Sequence, residues 1–252
     1  MKVLVLDFDG VISDSVRESF AVALGSYLSL RPESGLAARD RDGLYREFLE
    51  LMPLGNRAED YGTTMIALDS GHPLPDQETY DSFRKEQDAQ WLHGYHQRFY
   101  EFRTEMARTD PVGWRNLMSP YEPFLRVLRR RAGEARYAIA TAKDRASVEV
   151  LLPAYGIDDL FSPGLILDKE AGEKKTAHLR RLRETLGVDY SAMTFVDDKV
   201  NHLDAVAPLG VRCALAAWGY NGRREHELAA DREYLVCRLE DVEQQLFGKP
   251  AP

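Results

Sequence analysis

The sequence predicts an α/β protein: a Rossmann-like parallel sheet core that is interrupted by an inserted all-helical domain. Three observations predict it. Short apolar runs alternate with helix-length segments, a long stretch after the first run contains no strand-like segment, and polar residues able to carry chemistry follow several of the runs. Strands that alternate with helices of this length form right-handed βαβ units and a parallel sheet.

Five apolar runs are predicted to be strands, because they show no alternation of polar and apolar residues, as is typical of strands buried on both faces. They cover residues 3–6, 137–140, 165–167, 193–196 and 213–216. Helices are expected between them. Leu179, Leu182 and Leu186, for example, lie on one helical face, and Gly187 closes that helix.

Between the first and second strands, residues 15–112 contain helix-prone stretches broken by prolines and no strand-like run. The spacing of Ser15 and Glu18 predicts a capping box, in which the hydroxyl and the carboxylate satisfy early helical N–H groups. The predicted domains are therefore a helical insert of residues 15–112 and a discontinuous core domain of residues 1–14 and 113–252. The tail from Gly248 to Pro252 is expected to be disordered.

Composition and charge exclude several classes of protein. The 252 residues include 33 basic and 41 acidic side chains, and the formal net charge of −8 argues against binding to nucleic acids. No apolar run approaches the roughly 18 residues of a membrane-spanning helix. The acid at Asp7 comes too early for the core of a signal peptide. The chain has only two cysteines, Cys213 and Cys237, so no disulfide framework is expected. The expected location is therefore the cytoplasm.

Polar side chains follow three of the predicted strands, at the edge where open parallel sheets bind their ligands. Carboxylates gathered there repel one another unless a cation lies between them, and an all-oxygen set of ligands suits Mg²⁺. A hydroxyl and an ammonium group beside such an ion are equipped to hold a phosphoryl group. The residues concerned are Asp7 and Asp9 after the first strand, Thr141 after the second, Asp197 and Asp198 after the fourth, and Lys174 and Lys175 at the start of a helix.

These residues resemble the four motifs of the haloacid dehalogenase (HAD) superfamily, in the same order along the chain. The segment 7–15, with the sequence DFDGVISDS, is similar to the first motif, an apolar strand followed by DxDG. Thr141 resembles the second motif, Lys175 the third, and the FVDD of residues 195–198 the acidic fourth. The insert stands where this superfamily places a type I cap, so residues 15–112 are interpreted as a helical cap domain.

The resemblance implies a role for each matching residue. Asp7 would be the nucleophile that forms an aspartyl-phosphate. Asp9 would act as general acid for the leaving oxygen and then as general base for water. Thr141, the backbone N–H of Ala142 and the Lys175 ammonium would bind the phosphoryl oxygens.

The same resemblance implies that Asp7, the Asp9 carbonyl and Asp198 ligate Mg²⁺. The division of roles between Asp197 and Asp198 stays open, so both are candidate metal ligands, and His202 stands where many members have a later acid. Lys174 and Lys175 are adjacent. Lys175 is preferred as the site lysine, because it lies four residues before a leucine that faces the core.

The expected function is that of a Mg²⁺-dependent phosphatase, a phosphoric monoester hydrolase, that acts on a small phosphorylated metabolite. Asp9 argues against cleavage of a carbon–halogen bond, since members with that activity resemble this fold but lack an acid there. A sugar phosphomutase of the same fold would keep every residue named above. A non-catalytic phosphate-binding or regulatory protein is the alternative of another class. Neither a nucleic acid nor a membrane is expected as a partner, and the sequence contains no signal for an oligomeric state.

Overall fold

The computed structural model describes residues 2–55, 57–172 and 174–248. The chain divides into two compact units: a core unit of Met1–Asp14 and Ser119–Pro252, and a helical unit of Ser15–Met118. The predicted fold class is confirmed, because a parallel sheet with helices is interrupted by an all-helical insert. The tail expected to be disordered lies, apart from Gly248, outside the described residues.

The core unit contains the strands of the molecule. In its described residues they are β1 (Val3–Leu6), β2 (Ser13–Asp14), β3 (Ser119–Pro120), β4 (Arg136–Ala140), β5 (Phe161–Leu167), β6 (Met193–Asp197), β7 (Arg212–Ala216) and β8 (Leu235–Cys237). Six of them form one parallel sheet in the order β5-β4-β1-β6-β7-β8, and β2 pairs with β3 in an antiparallel ladder. That ladder joins the two segments of chain that leave and re-enter the core unit.

The register of the sheet aligns the carboxyl ends of three strands. Leu6 of β1 pairs with Ile139 of β4 on one side and with Val196 of β6 on the other. The residues that follow these positions therefore reach the same edge of the sheet. This is the edge at which parallel α/β proteins bind ligands.

All five strands predicted from apolar runs are present, and both faces of the central strands are buried, as the absence of alternation indicated. Val3 and Val5 pack with Phe195, Leu179 and Leu182 on one face. Helices cover the sheet: α7 (Glu122–Arg130), α8 (Arg145–Ala154), α9 (Lys175–Leu186), α10 (Val200–Val206), α11 (Arg223–Asp231) and α12 (Val242–Phe247). Short 3₁₀ helices lie at Asp158–Leu160, Lys169–Ala171, Tyr190–Ala192 and Ala207–Leu209. As predicted, α9 ends at Gly187, which adopts the left-handed conformation.

The helical unit contains α1 (Val16–Leu30), α2 (Arg41–Leu51), α3 (Ala58–Ser70), α4 (Gln77–Glu86), α5 (Ala89–Thr109) and α6 (Pro111–Asn116). Two 3₁₀ helices, Gly35–Ala38 and Met52–Leu54, lie between them. Its core is largely aromatic, with Phe48, Tyr61 and Phe99 in successive ring contacts. Gly25 of α1 lets the Phe102 ring of α5 approach closely, since a methyl group there would lie 2.3 Å from the ring.

The predicted capping box at the start of α1 is wrong. Ser15 is the N-cap residue but makes no side-chain cap hydrogen bond. The Glu18 carboxylate instead accepts two hydrogen bonds from the Arg103 guanidinium, at 2.6 and 2.9 Å, and one from the Trp114 indole at 3.2 Å. A buried bidentate ion pair outweighs the local hydrogen bond that the spacing suggested.

The sequence also predicted that the chain has no membrane-spanning helix and no disulfide framework. No helix in the described part of the chain combines the length and the apolar character needed to cross a lipid bilayer. Cys213 and Cys237 are both free and buried.

Candidate active site

Asp7 lies buried at the carboxyl edge of the sheet, directly after β1. Its N–H donates to the Val196 carbonyl at 2.9 Å, so the pairing of β1 with β6 continues to this residue. Its Oδ1 accepts the Phe8 N–H at 2.7 Å, and its Oδ2 lies 2.8 Å from the Lys175 ammonium. Burial raises the pKa of the Asp7 carboxyl above its usual value, although the Lys175 ammonium opposes the shift.

Lys175 joins three strand ends. Its Nζ lies 2.8 Å from Asp7 Oδ2 and 3.2 Å from Asp197 Oδ2, and it donates to the Ala140 carbonyl at 2.7 Å. Burial alone lowers the pKa of the Lys175 ammonium, but the carboxylates of Asp197 and Asp7 outweigh this and the pKa is raised. Lys174, in contrast, is exposed at the N-cap of α9. The geometry thus brings Lys175, and not Lys174, to the carboxylates.

Asp197 is completely buried at the end of β6, and several donors surround it. Besides Lys175, its carboxylate accepts the Lys199 N–H at 2.9 Å, and both of its oxygens lie 3.0 Å from His202 Nδ1. Burial favours the protonated form, but His202 and Lys175 together hold the pKa of the Asp197 carboxyl well below its usual range. His202, which stands in place of a later acid, is thereby a direct partner of Asp197.

Asp198 is also buried but faces a different neighbour. Its Oδ2 accepts the Tyr220 N–H at 2.8 Å, in the loop between β7 and α11. Burial, together with the Asp197 and Asp7 carboxylates, raises the pKa of the Asp198 carboxyl to about 7, and the Lys199 ammonium offsets only part of the shift. The site therefore gathers three buried carboxylates, those of Asp7, Asp197 and Asp198, together with the buried lysines Lys175 and Lys199.

Two glycines make room for Asp198. Gly10 has φ of +79°, and a methyl group on it would lie 2.5 Å from Asp198 Oδ2. A methyl group on Gly219 would lie 2.3 Å from Asp198 Cβ and 2.4 Å from the Gly10 carbonyl oxygen. The Asp198 side chain is therefore held between the turn that follows β1 and the loop that follows β7.

Asp9 is the most accessible acid of the set, with 31% of its side chain exposed. Its Oδ1 lies 3.0 Å from the ammonium group of Lys143, whose own side chain is completely buried. Lys143 belongs to the loop between β4 and α8, so this ion pair connects the first strand end with the second.

Thr141 and Ala142 lie in that same loop. Thr141 is buried, its N–H donates to the Leu167 carbonyl at 2.8 Å, and its Oγ1 accepts the Lys143 N–H at 3.1 Å. Ala142 is exposed. The loop presents a hydroxyl group and a backbone segment at the edge of the sheet, beside the strand that carries Asp7.

One group of potential metal ligands stands out among the described residues. Asp7, Asp197 and His202 offer ligand atoms that all lie within 4.8 Å of one another. The Lys175 ammonium already contacts the two carboxylates of this group. Asp9 and Asp198 are not part of it, although the Asp198 carboxylate lies against Gly10, the residue that follows Asp9.

A family model described as haloacid dehalogenase-like hydrolase matches residues 1–210 of the chain. The protein belongs to this family. The match includes both strand ends that carry acids and the whole helical insert. The expected membership of the HAD superfamily is therefore confirmed, and the protein is a hydrolase of the HAD type.

Solved structures show the same fold over nearly the full length of this HAD-like hydrolase. A candidate phosphoglycolate phosphatase from Lactobacillus delbrueckii subsp. bulgaricus is 15% identical with a TM-score of 0.73, and the alignment covers 99% of this chain and 100% of that one. A predicted phosphoglycolate phosphatase from Haemophilus somnus is 18% identical with a TM-score of 0.65, and 96% of each chain is covered. A predicted phosphatase from Clostridium acetobutylicum has a TM-score of 0.65 at 12% identity, with 98% of this chain and 99% of that one covered. No protein of curated function matches the chain in sequence.

Three residues of this HAD-like site were not found from the sequence as parts of it: Lys143, Gly219 and Tyr220. Lys143 follows Thr141 by two residues, and this position at a strand end was a signal that could have been used. Gly219 and Tyr220 follow the fifth predicted strand, whose end carries no acid and therefore gives no signal for a site in the sequence. The contacts of these three residues depend on the paths of loops, which the sequence pattern does not define.

Proposed function

We propose that the protein is a Mg²⁺-dependent phosphatase that hydrolyses a small-molecule phosphomonoester through an aspartyl-phosphate on Asp7. The observation that carries this proposal is the position of the Lys175 ammonium, within 3.2 Å of two carboxylates and a carbonyl oxygen from three strand ends. A nucleophilic carboxylate needs such a cation, because an anion that attacks a phosphate dianion is otherwise repelled.

Asp7 would attack phosphorus through a carboxylate oxygen. The bond from phosphorus to the leaving oxygen breaks, and Asp9 gives that oxygen a proton, so that an alcohol departs. Asp9 then takes a proton from water as the water oxygen attacks phosphorus. The acyl phosphate bond breaks, and inorganic phosphate and the Asp7 carboxylate are released. Asp9 suits the proton transfers because nearly a third of its side chain is exposed beside a buried nucleophile.

The phosphoryl oxygens need donors at the same edge. We assign this role to Thr141 Oγ1, the N–H of Ala142 and Lys175 Nζ. Support comes from the burial of Thr141 next to the strand of Asp7 and from the Lys175 contact with the carbonyl of Ala140, the residue before Thr141. Donors fixed by the sheet and its loops are preorganised, and this is the condition under which they stabilise a developing negative charge most.

The donor set fits Mg²⁺, because buried carboxylates with raised pKa values are the electrostatic condition that a hard divalent cation relieves. We propose that Asp7, the Asp9 carbonyl and Asp198 hold the ion. Asp197 is already paired with Lys175 and His202, and we assign to it the positioning of that lysine. A bound Mg²⁺ would neutralise charge on the nucleophile and the phosphoryl oxygens.

The substrate class we propose is a small phosphorylated metabolite. The net charge of −8 opposes binding of a polyanion such as a nucleic acid. Both phosphoglycolate phosphatase structures described above are similar in fold, and phosphoglycolate is therefore a reasonable first substrate for a screen. The fold alone is shared at these identities, so the screen should cover many other phosphomonoesters.

Phosphate release from p-nitrophenyl phosphate and from a metabolite panel, with and without Mg²⁺, tests the proposal. Asp7→Asn should lower turnover to background while the fold stays intact, since the change is nearly isosteric. Asp159→Asn, at an acid with 67% of its side chain exposed, is the matched control and should match the wild type. Hydroxylamine converts an acyl phosphate to a hydroxamate, which peptide mass spectrometry should locate at Asp7. An inactive wild type across the whole panel, or full activity of Asp7→Asn, would contradict the proposal.

A further inference from the structure

Lys143 is a buried cation that the roles given above do not use. Only 2% of the residue is exposed, and its side chain is completely buried. The ammonium lies 3.0 Å from Asp9 Oδ1 and 5.9 Å from the centre of the Phe8 ring, which lies between the two acids of the first motif. The backbone N–H of Lys143 donates to Thr141 Oγ1 at 3.1 Å. The residue thus connects the acid Asp9 with the loop that carries Thr141.

The stability of the fold does not account for this arrangement. Removing an ammonium group from water carries a large desolvation penalty, and an apolar residue of similar size is often at least as stabilising. Asp9 is also only partly buried, so water screens its attraction to Lys143. The ion pair therefore recovers only part of the free energy that is lost when the Lys143 ammonium is removed from water. A buried lysine aimed at one partly exposed carboxylate is better explained by what it does to that carboxylate.

The geometry restricts the Asp9 side chain. A partly exposed aspartate can adopt more than one side-chain conformation, and a hydrogen-bonded cation with a fixed position selects one of them. The lysine can act in this way because its own backbone is held at both sides. Its N–H donates to Thr141, and its carbonyl accepts the Lys169 N–H at 3.4 Å.

We propose that Lys143 is a positioning residue for Asp9, which holds the carboxylate at one place for both proton transfers; this inference rests on the proposed function. The leaving oxygen and the attacking water occupy the same side of phosphorus in turn, so a single defined position of Asp9 serves both half-reactions. Misplacing a catalytic group by about 1 Å costs on the order of 100-fold in rate.

The experiment compares Lys143→Met with wild type on two substrates that differ in their need for an acid. The p-nitrophenolate ion is a good leaving group and needs no proton. The alkoxide of an alkyl phosphate is a poor leaving group and must be protonated as it departs. We expect kcat for an alkyl phosphate to fall about 100-fold in Lys143→Met. With p-nitrophenyl phosphate, the first turnover should stay within about threefold of wild type, followed by slow steady-state release, because the water-activating step also depends on Asp9.

Three controls accompany this comparison. Lys85→Met removes an exposed lysine of the helical unit and should behave as the wild type on both substrates. Lys143→Arg keeps a cationic donor and should retain at least about ten times more alkyl phosphate turnover than Lys143→Met. Lys143→Gln provides the same substrate comparison in case the Met variant does not fold.

The outcomes separate this inference from the proposed function. Equal losses on both substrates in the first turnover would overturn it, because they would place Lys143 on the phosphoryl group itself or on the fold. Wild-type rates of Lys143→Met on both substrates would also overturn it. If the wild type and Lys85→Met release no phosphate from any substrate, the proposed function fails and the inference fails with it.

Discussion

Lys175 shows how one side chain can define a site that is built from distant segments. Its ammonium contacts residues that are 168 and 22 positions away in sequence, and the carbonyl at the end of a third strand. A buried cation between two carboxylates is strongly favoured, and removing one partner of such a set leaves uncompensated buried charge.

Replacing this lysine should therefore affect both activity and stability. For Lys175→Met we expect phosphatase turnover to fall about 100- to 1,000-fold, as for the loss of a single preorganised donor. The free energy of unfolding should fall by about 3–5 kcal/mol, because Asp7 and Asp197 remain buried without it. Phosphate release and urea denaturation measure the two effects. Lys174→Met removes the exposed neighbour and should change neither quantity; the opposite ranking of the two variants would mean that the lysines have been assigned the wrong way round.

The buried imidazole of His178 should make the free energy of unfolding depend on pH. His178 is buried in α9, and its Nε2 lies 2.8 Å from the Gly172 carbonyl oxygen. Burial, assisted by the nearby Lys175, lowers the pKa of the His178 imidazole to about 4. Between pH 6.5 and 4 the unfolded chain therefore binds a proton that the folded chain does not, so the free energy of unfolding falls as the pH falls through this window.

The loss from this residue should be about 2 kcal/mol between pH 7 and pH 5. His178→Gln keeps a donor for the Gly172 carbonyl but does not titrate. We expect its free energy of unfolding, measured by urea denaturation, to fall less than that of the wild type over the same two pH values. Below pH 4 the two slopes should agree. Parallel pH profiles between pH 7 and 5 would show that His178 is protonated in the fold at its usual pKa.

The residues of the candidate site differ in how far their positions could be predicted. Asp7 and Asp197 follow strands with a clear apolar pattern, so the alignment of strand ends was sufficient to bring them together. The contact of His202 with Asp197 was not predictable, because it depends on the direction of a side chain on the first turn of α10. Glu18 shows the reverse error: a local spacing suggested a cap, but a partner 85 residues away binds the carboxylate.

At the scale of elements, the loop that follows β7 has a definite role in the site. Its Gly219 lies against Asp198 and Gly10, and the N–H of the next residue, Tyr220, donates to the Asp198 carboxylate. Lys199 Nζ donates to the Tyr220 carbonyl at 3.1 Å, which ties the loop to the segment after β6. The loop therefore fixes an acid that it does not itself carry.

Gly219→Ala should displace that acid. The added methyl would lie 2.3 Å from Asp198 Cβ and 2.4 Å from a backbone oxygen, and a backbone neighbour cannot move aside as a flexible side chain can. We expect the affinity for Mg²⁺, measured by calorimetry, to fall at least about tenfold, as for loss of a partner that orients a ligand. Gly94→Ala, at an open position of α5, is the matched control and should bind as the wild type does. Unchanged affinity in Gly219→Ala would show that Asp198 is not a ligand or that the loop yields at little cost.

The five longest strands of the described residues could be predicted at least in part, whereas β2, β3 and β8 were missed because they have only two or three residues each. The central strands are buried on both faces and therefore read as continuous apolar runs. At the edge of the sheet, β8 has only three residues and is half-buried in two of them, so it lacks such a run. The first half of β5 was missed because Ser162, Pro163 and Gly164 are exposed and read as a turn.

At the scale of the whole molecule, the chain is acidic and part of that charge is buried in one place. The net charge is −8, and Asp7, Asp197 and Asp198 are all buried at the carboxyl edge of the sheet. The buried lysines Lys175 and Lys199 offset part of this charge, but the pKa values of the Asp7 and Asp198 carboxyls stay raised, and a bound cation would relieve the destabilisation that remains. The proposed metal site should therefore contribute to the stability of the protein as well as to its chemistry.

Adding Mg²⁺ should stabilise the fold by mass action, because the unfolded chain has no site for the ion. At a Mg²⁺ concentration about 100 times its dissociation constant, the free energy of unfolding rises by about 2.7 kcal/mol. This corresponds to a rise in Tm of about 5–10 °C for a chain of this size. Asp198→Asn should lose this rise, whereas Asp159→Asn, at an exposed acid, and His202→Gln should keep it. Calorimetry at neutral pH with Mg²⁺ or chelator measures each variant without any substrate. If His202→Gln loses the rise and Asp198→Asn keeps it, the ion is held by the group of Asp7, Asp197 and His202 instead, because only that arrangement makes the imidazole a ligand.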